Sequence, residues 1–204
     1  MTKVLGLTGG IAAGKTAVGQ LFQARGAVLI DADQVARQVV QKSQPGLAEI
    51  VALFGTTILN AAGELDRSKL GRLVFSDSSQ LNRLNAVIQP RIRQEIINQS
   101  AAYRAQGYPL VVVMIPLLYE MNYETICDAV LDVDIPLELQ VKRVMMRDHL
   151  TIDEAKQRIT AQLSREQRLS RADFILDTSG NLLQLQENFD ELWDRDDFQT
   201  FLMS

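Results

Sequence analysis

The chain has 204 residues, of which 47% are hydrophobic and 23% are charged, and its formal net charge is −4. This length fits one domain with a small inserted lobe, and the hydrophobic content suffices for a packed core. The negative net charge argues against a nucleic-acid-binding protein. A membrane protein is also disfavoured, because no apolar run approaches the roughly 18 residues needed to cross a bilayer.

Cysteine and histidine usage narrows the chemistry further. Cys127 is the one cysteine and His149 the one histidine, which excludes an internal disulfide and a zinc site. The amino-terminal residues lack the basic and apolar segments of a signal peptide. We therefore expect a cytoplasmic protein without a membrane partner. Whether it is a monomer or a homo-oligomer stays open.

The first predicted elements are a buried strand at 3–8, a glycine-rich loop at 9–16 and a helix that includes 17–22. The loop fits G-x4-G-K-[ST], the phosphate-binding P-loop, in which backbone N–H groups surround a phosphate and a lysine adds a cation. The helix directs the positive end of its dipole at the anion. An accidental glycine-rich turn is the alternative, and the order of strand, loop and helix disfavours it. The predicted contacts to ATP are Gly9, Gly10, Ile11, Ala12, Ala13, Gly14, Lys15, Thr16 and Ala17, with the Thr16 hydroxyl as a ligand of Mg²⁺.

The second predicted strand, at 27–30, is followed by Asp31 and Asp33. Residues i and i+2 share a face of an extended segment, so both carboxylates can point into the crevice opposite the loop. A carboxylate there can orient an acceptor hydroxyl and take its proton during phosphoryl transfer. Asp33 is the better candidate because it lies further past the strand. The alternative is that Asp33 only caps a helix over 34–41.

Helical patterns dominate the middle of the chain. A helix is predicted from Pro45 to Phe54 and ended by Gly55, and residues 60–106 contain no convincing strand. Pro90 is expected to split a long helical stretch over 79–106, because proline removes a donor and crowds the preceding turn. We interpret 60–106 as a helical lobe between the second and third strands.

Three further apolar runs, at 110–115, 129–135 and 174–176, predict the remaining strands. All are rich in Val, Ile and Leu with little alternation, which is typical of strands buried on both faces of a parallel sheet. The sequence therefore predicts an α/β fold with a five-stranded parallel sheet. Ligands of such sheets bind beyond the carboxyl ends of the strands.

Residues 140–171 carry eight Lys or Arg and four acidic residues, a local excess of positive charge. Arg143 and Arg147 share a face of the helix that Pro136 begins and that reaches Asp148. Guanidinium groups grip phosphate oxygens and neutralise charge on a transferring group. The alternative is a solvated basic face paired with Glu138 and Asp148. The roles of four more arginines stay open: Arg158, Arg165, Arg168 and Arg171.

The carboxyl-terminal part holds three local signals. Thr151 and Glu154 form an S/T-x-x-E capping box that begins another helix. Residues 177–180 match D-x-x-G, and without an N-K-x-D motif we interpret them as a strand-to-helix turn whose backbone could lie beside a nucleotide base. The acidic tail from Asp194 is expected to be poorly ordered, and Met145 and Met146 are expected to pack in the core.

Taken in this order, the motifs resemble the dephospho-CoA kinase family over nearly the whole chain. The resemblance implies a P-loop kinase of the nucleoside-monophosphate-kinase type, with a three-layer core. It also implies ATP-dependent phosphorylation of the ribose 3′-hydroxyl of dephospho-CoA, the last step of coenzyme A synthesis, with ATP and Mg²⁺ as cofactors. The residues that carry the resemblance are those at 7–11, 14–16, 30–33, 54–55, 63–67, 116–120, 143, 147–148, 161–162 and 172–173.

The resemblance also implies a division of the chain and a set of roles. The core comprises approximately 1–59, 107–139 and 172–204, the helical CoA lobe 60–106 and a mobile lid 140–171. Asp33 is the base, Lys15 and Arg143 act on the transferring phosphoryl group, and Arg147 helps to bind ATP. The acceptor side is formed by Asp31, Asp33, Arg67, Leu117, Leu118 and Glu120.

Two questions stay open at this point. Relatives often have Gly and Ser where this chain has Ala12 and Ala13, and the loop works in this form if neither alanine needs a positive φ. The chain could also be a kinase for another small hydroxyl or a nucleoside monophosphate, or a nucleotide-binding switch that transfers nothing.

Overall fold

A five-stranded, fully parallel sheet is the framework of the computed structural model, which describes residues 2–204. The strand order is β2-β3-β1-β4-β5. The predicted parallel sheet is confirmed, and each predicted strand is present with its bounds shifted by no more than one residue at either end. The strands are β1 Lys3–Gly9, β2 Val28–Asp31, β3 Leu110–Met114, β4 Ala129–Asp134 and β5 Phe174–Asp177.

Ten helices accompany the strands within residues 2–204, together with short 3-10 turns at Thr56–Ile58 and Tyr123–Ile126. The capping signals that the sequence offers are used: Gly55 follows α3, and Thr151 with Glu154 forms a capping box before α7. The helices are α1 Lys15–Ala24, α2 Ala32–Gln38, α3 Pro45–Phe54, α4 Arg67–Phe75, α5 Ser78–Ala105, α6 Leu137–Asp148, α7 Ile152–Thr160, α8 Arg165–Leu169, α9 Leu182–Asp194 and α10 Asp196–Met203.

The chain divides into two compact units. One comprises the residues up to Asp31 together with Ser100–Ser204, and it contains the sheet; the other is Ala32–Gln99. The predicted division into core, CoA lobe and lid stays a prediction. Among the described residues, none of the helices combines the length and the apolar character that a membrane span needs.

The hydrophobic core explains why the sheet forms. Leu110 and Val112 of β3 belong to a buried cluster that also contains residues of α1, α9 and α10, whereas Val111 and Val113 are buried without belonging to it. Because successive side chains of a strand point to opposite faces, both faces of β3 are covered. Phe22 of α1 and Phe189 of α9 meet edge to face, with ring centroids 4.9 Å apart.

The expectation of a poorly ordered tail is wrong. Residues 196–203 form α10, and Phe198 is fully buried, with its ring centroid 4.9 Å from that of Phe174. Asp194, Asp196 and Asp197 make the start of this segment acidic, yet Phe198, Phe201 and Leu202 lie close enough along a helix to dock it onto the core. Met146 was likewise expected to pack, and it is 78% exposed, whereas Met145 packs beside a buried cluster.

Two helix boundaries also differ from expectation. Helix α5 continues through Pro90, since proline removes only one donor and the buried Ile88, Ile92 and Ile96 lie along the helix on both sides of it. Helix α2 begins at Ala32 and ends at Gln38, so Asp33 lies inside its first turn. The alternative that Asp33 caps a helix over 34–41 is therefore wrong.

Candidate active site

The phosphate loop, defined here as residues 9–16, joins the carboxyl end of β1 to helix α1. Strand β1 lies between β3 and β4, and Gly14 precedes α1 with φ 99° and no side-chain cap. The amino-terminal end of α1, where the helix dipole is positive, therefore faces the side of the loop where an anion would bind. A cavity of about 360 Å³ opens here, lined by Ala12, Ala13, Gly14, Lys15, Thr16, Arg143 and Arg147.

Two glycines of the loop lie in close contact with neighbouring elements. A Cβ at Gly10 would lie 2.3 Å from Nε2 of Gln140, and a Cβ at Gly9 would lie 2.6 Å from the carbonyl oxygen of Val133. Both distances are shorter than any real contact. The loop therefore needs glycine at Gly9 to lie against the backbone of β4, whereas a side chain at Gly10 would displace the end of Gln140 on α6.

Ala12 departs from the expectation for the loop. Its φ is 58°, in the left-handed region, whereas Ala13 has no positive φ. A residue with a Cβ is strained by about 1–2 kcal/mol in this region. The loop therefore adopts at Ala12 the conformation that glycine would adopt without strain.

The Lys15 ammonium folds back onto its own loop. Its Nζ donates to the carbonyl oxygens of Gly9, at 2.8 Å, and of Gly10, at 3.1 Å. Lys15 therefore lines the cavity together with other loop residues. This location suits a cation that must meet a phosphate chain.

Arg143 and Arg147 both line the cavity, so the structure brings this predicted pair to the phosphate loop. Nη2 of Arg143 donates to the carbonyl oxygen of Thr178 at 2.7 Å. Arg147 makes a two-point ion pair with Asp148, at 2.8 and 2.9 Å, which raises the pKa of Arg147 and lowers that of Asp148. The alternative of a solvated basic face predicted Asp148 as the partner of Arg147, and this pair is present. Arg147 nevertheless also lines the cavity.

The turn at 177–180 contacts the same loop. Thr178 is buried, and its hydroxyl lies 2.6 Å from the carbonyl oxygen of Ala13 and 3.0 Å from that of Asp134. As predicted, the D-x-x-G match is a strand-to-helix turn, because β5 ends at Asp177 and α9 begins at Leu182. Its hydrogen bond to the phosphate loop was not predicted.

A buried ion pair below the loop was missed by the sequence analysis. Asp132 is fully buried in β4, and its Oδ2 lies 3.3 Å from Nε of Arg168, which is 5% exposed. Burial raises the pKa of Asp132 to about 6, the charge of Asp134 adds to this rise, and the charges of Arg168 and Lys15 oppose it. A charged residue inside the otherwise apolar run at 129–133 was the available signal.

Each of the four arginines left open by the sequence has a carboxylate partner. The Arg165 guanidinium binds Asp134 at two points, 2.7 and 2.6 Å. The guanidinium of Arg171 also lies 4.4 Å from the ring centroid of Tyr119. The remaining pairs are Arg158 with Asp148, Arg168 with Asp132 and Arg171 with Glu124.

The predicted acceptor residues after β3 lie in a turn with mixed exposure. Leu117 is 37% exposed, whereas Leu118 is fully buried against Gly6, so its side chain packs in the core. Oε1 of Glu120 accepts a hydrogen bond from the Leu163 amide at 2.9 Å. The substrate contacts of Leu117, Leu118 and Glu120 stay predictions.

The three remaining predicted residues are Asp31 and Asp33, at and just after the end of β2, and Arg67, which begins α4. Asp31 ends β2, and Asp33 follows in the first turn of α2. Within the second unit, Nη2 of Arg67 lies 3.5 Å from the carbonyl oxygen of Arg37. Burial, together with the positive charge of Arg37, lowers the pKa of Arg67. Two cations therefore lie close together near the amino-terminal end of α4.

Comparison with known proteins identifies the family. The family model described as dephospho-CoA kinase matches residues 3–184. The chain belongs to the dephospho-CoA kinase family. The resemblance found in the sequence is thereby confirmed.

Individual relatives and solved structures are similar to this chain over most of its length. The dephospho-CoA kinase of Latilactobacillus sakei is 46% identical over 91% of this chain and 92% of its own length. The crystal structure of TT1252 from Thermus thermophilus superposes with a TM-score of 0.78 at 33% identity, covering 94% of this chain and 96% of that one. The dephospho-CoA kinase from Campylobacter jejuni superposes with a TM-score of 0.73 at 28% identity and the same coverage.

Proposed function

We propose that this chain transfers the γ-phosphoryl group of ATP to the ribose 3′-hydroxyl of dephospho-CoA, giving coenzyme A and ADP, the last step of coenzyme A synthesis. One observation carries the proposal: in a member of this family, the cavity at the phosphate loop is lined by one lysine and two arginines. A small-molecule kinase with a single cysteine fits a reducing cytoplasm.

ATP binding follows from the loop and its cations. Residues 9–17 surround the phosphates, with N–H groups such as that of Ala12 facing them, and Lys15, Arg143 and Arg147 supply three positive charges. Lys15 and Arg143 then stabilise the charge that moves onto the oxygen between the β- and γ-phosphates. Nucleotide binding draws the Lys15 ammonium from the Gly9 and Gly10 carbonyls to phosphate oxygens.

Mg²⁺ fits the residues present, with Thr16 as its protein ligand. Among residues 2–204 no cluster of three or more His, Cys, Asp or Glu is arranged to hold a metal ion. Mg²⁺ prefers oxygen donors. Here these would be the hydroxyl of Thr16, which lines the cavity, together with ATP oxygens and waters. When bound, the ion neutralises part of the phosphate charge.

The acceptor hydroxyl is activated by Asp33. Its carboxylate accepts the proton of the 3′-hydroxyl while the bond from that oxygen to the γ-phosphorus forms and the bond to the leaving oxygen of ADP breaks. Asp31 helps to bind the acceptor. Arg67, beside Arg37, binds an anionic part of the acceptor, and dephospho-CoA offers a pyrophosphate for such cations.

The predicted division of the chain completes the proposal. The segment 60–106 binds the CoA portion, with Leu117, Leu118 and Glu120 on the acceptor side. The segment 140–171 is a lid that carries Arg143 and Arg147, and its closure keeps water from competing as the acceptor.

A phosphate-transfer assay across several acceptors tests the proposal. Labelled ATP is supplied with dephospho-CoA, with nucleosides or with nucleoside monophosphates. We expect label in dephospho-CoA alone. Labelling of only a nucleoside or a monophosphate would make the chain a kinase for another acceptor, and hydrolysis unaffected by any acceptor would indicate a switch.

A further inference from the structure

Two glutamines from distant parts of the chain hydrogen-bond the backbone of Ile11, inside the phosphate loop. Oε1 of Gln162 accepts from the Ile11 amide at 2.7 Å, and Nε2 of Gln140 donates to the Ile11 carbonyl at 3.0 Å. Gln140 lies on α6 and is only 4% exposed, and Gln162 lies between α7 and α8. The Ile11 side chain packs beside the buried cluster of Val141, Val144 and Ala155.

These two contacts set the orientation of two successive peptide planes. In a trans peptide the N–H and the preceding C=O point in opposite directions. With the Ile11 amide directed at Gln162, the Gly10 carbonyl points away from it, and there it accepts from the Ala13 amide and from Lys15 Nζ, both at 3.1 Å. With the Ile11 carbonyl directed at Gln140, the Ala12 amide points to the side opposite Gln140.

The contacts at Ile11 help to impose the strained backbone conformation of Ala12. Ala12 has φ 58°, and a non-glycine residue keeps such a conformation only where its surroundings impose it. The residue immediately before Ala12 is Ile11, and its backbone is held by the two glutamines while its side chain is packed. Ala12 itself lines the cavity beside Lys15.

We propose that Gln140 and Gln162 are positioning residues for the kinase reaction, which orient the peptide groups on either side of Ile11 so that the loop presents its amides, that of Ala12 included, to the phosphates. Neither side chain lines the cavity, so each acts through the backbone. The inference rests on the proposed function in one respect, namely that the ligand is the polyphosphate chain of ATP.

Gln162→Leu and Gln140→Leu test this proposal, because leucine keeps most of the side-chain volume and removes the hydrogen bond. Gln167→Leu is the matched control. Gln167 lies in the same part of the chain and also accepts a backbone amide, that of Ser164 at 3.1 Å, but it does so in the capping box of α8. All three variants lose one hydrogen bond between a side-chain amide and the backbone.

The measurement is the dissociation constant of ATP and of inorganic tripolyphosphate, by calorimetry without an acceptor. We expect Gln162→Leu and Gln140→Leu each to weaken both ligands by about fivefold to tenfold, the effect of one net hydrogen bond. Gln167→Leu should bind both as the wild type does while its melting temperature falls. Equal loss of affinity in all three variants, or wild-type affinity in Gln162→Leu, would overturn the proposal.

Gln162→Leu decides the outcome alone if Gln140→Leu does not fold, because Gln162 is less buried. The kinase assay separates this proposal from the proposed function. A wild-type protein that binds tripolyphosphate yet leaves dephospho-CoA unphosphorylated refutes the function, whereas unchanged affinity in Gln162→Leu refutes only the role of the glutamines.

Discussion

The hydroxyl of Thr178 lies 2.6 Å from the carbonyl oxygen of Ala13, so the turn after β5 is hydrogen-bonded to the phosphate loop. The Thr178 carbonyl accepts a hydrogen bond from Arg143 on the other side of the same residue. One buried threonine thus contacts both the loop that binds phosphate and an arginine proposed to stabilise the transferring group.

Thr178→Val should lower the free energy of unfolding by about 1–3 kcal/mol, because the loop carbonyl loses a buried donor. It should also weaken ATP binding. Thr178→Ser keeps the hydroxyl and should stay within about 0.5–1 kcal/mol of the wild type. Urea denaturation and ATP titration of both variants check this expectation, and a valine variant as stable as the serine variant would contradict it.

Ala12→Gly should stabilise the protein, whereas Ala13→Gly should destabilise it. Glycine relieves the left-handed strain at Ala12, an effect of about 1–2 kcal/mol before the greater freedom of the unfolded chain is subtracted. At Ala13 the φ is not positive and the methyl group is fully buried, so glycine brings only losses. Parallel denaturation curves compare the two variants. The same sign of change in both would show that strain at Ala12 is not significant.

The raised pKa of Asp132 should make the free energy of unfolding depend on pH between about 4 and about 6. Its pKa is raised from 3.8 to about 6 in the folded protein, so the folded state binds more protons than the unfolded state between these values. Stability contributed by this group is therefore highest below pH of about 4 and falls as the pH rises to about 6.

Asp132→Asn serves as the comparison for this pH dependence. The variant leaves the buried Arg168 without its counter-ion and should be less stable overall. Its unfolding free energy minus that of the wild type should nevertheless increase as the pH rises through the window. Denaturation at several pH values measures this difference, and a difference that is constant or decreases would contradict the raised pKa.

Arg143→Ala should reduce kcat strongly, by about 100-fold or more, because the proposed role of this guanidinium is to stabilise charge that develops in the transition state. Lys142→Ala removes the neighbouring positive charge on α6, but that residue is exposed and does not line the cavity. The lysine variant should keep near-normal kcat. If both variants lose the same activity, the general charge of α6 matters rather than the location of Arg143.

Local patterns sufficed for the sheet and for the phosphate loop. The strands are short runs of Val, Ile and Leu, and the loop has a fixed spacing of glycines before Lys15 and Thr16, so both can be recognised without knowledge of the remaining fold. Arg143 and Arg147 were found because their spacing places them on one helix face, and the structure brings both to the loop.

Contacts between distant residues could not be predicted in this way. The bonds of Gln140 and Gln162 to Ile11 span 129 and 151 positions, and no local pattern distinguishes these glutamines from exposed ones. Tertiary packing also overrode local signals, since α5 continues through Pro90 and α10 forms within an acidic tail. The left-handed Ala12 was missed for the same reason, because its neighbours impose that conformation.

The most direct test of the central claim is identification of the product formed from ATP and dephospho-CoA by the wild type and by Asp33→Asn. The wild type should yield coenzyme A phosphorylated at the 3′ position, together with an equal amount of ADP. Asp33→Asn should bind ATP normally but turn over about 100-fold or more slowly, because the proposed base is lost. Absence of coenzyme A with the wild-type protein, or near-normal turnover by Asp33→Asn, would contradict this account.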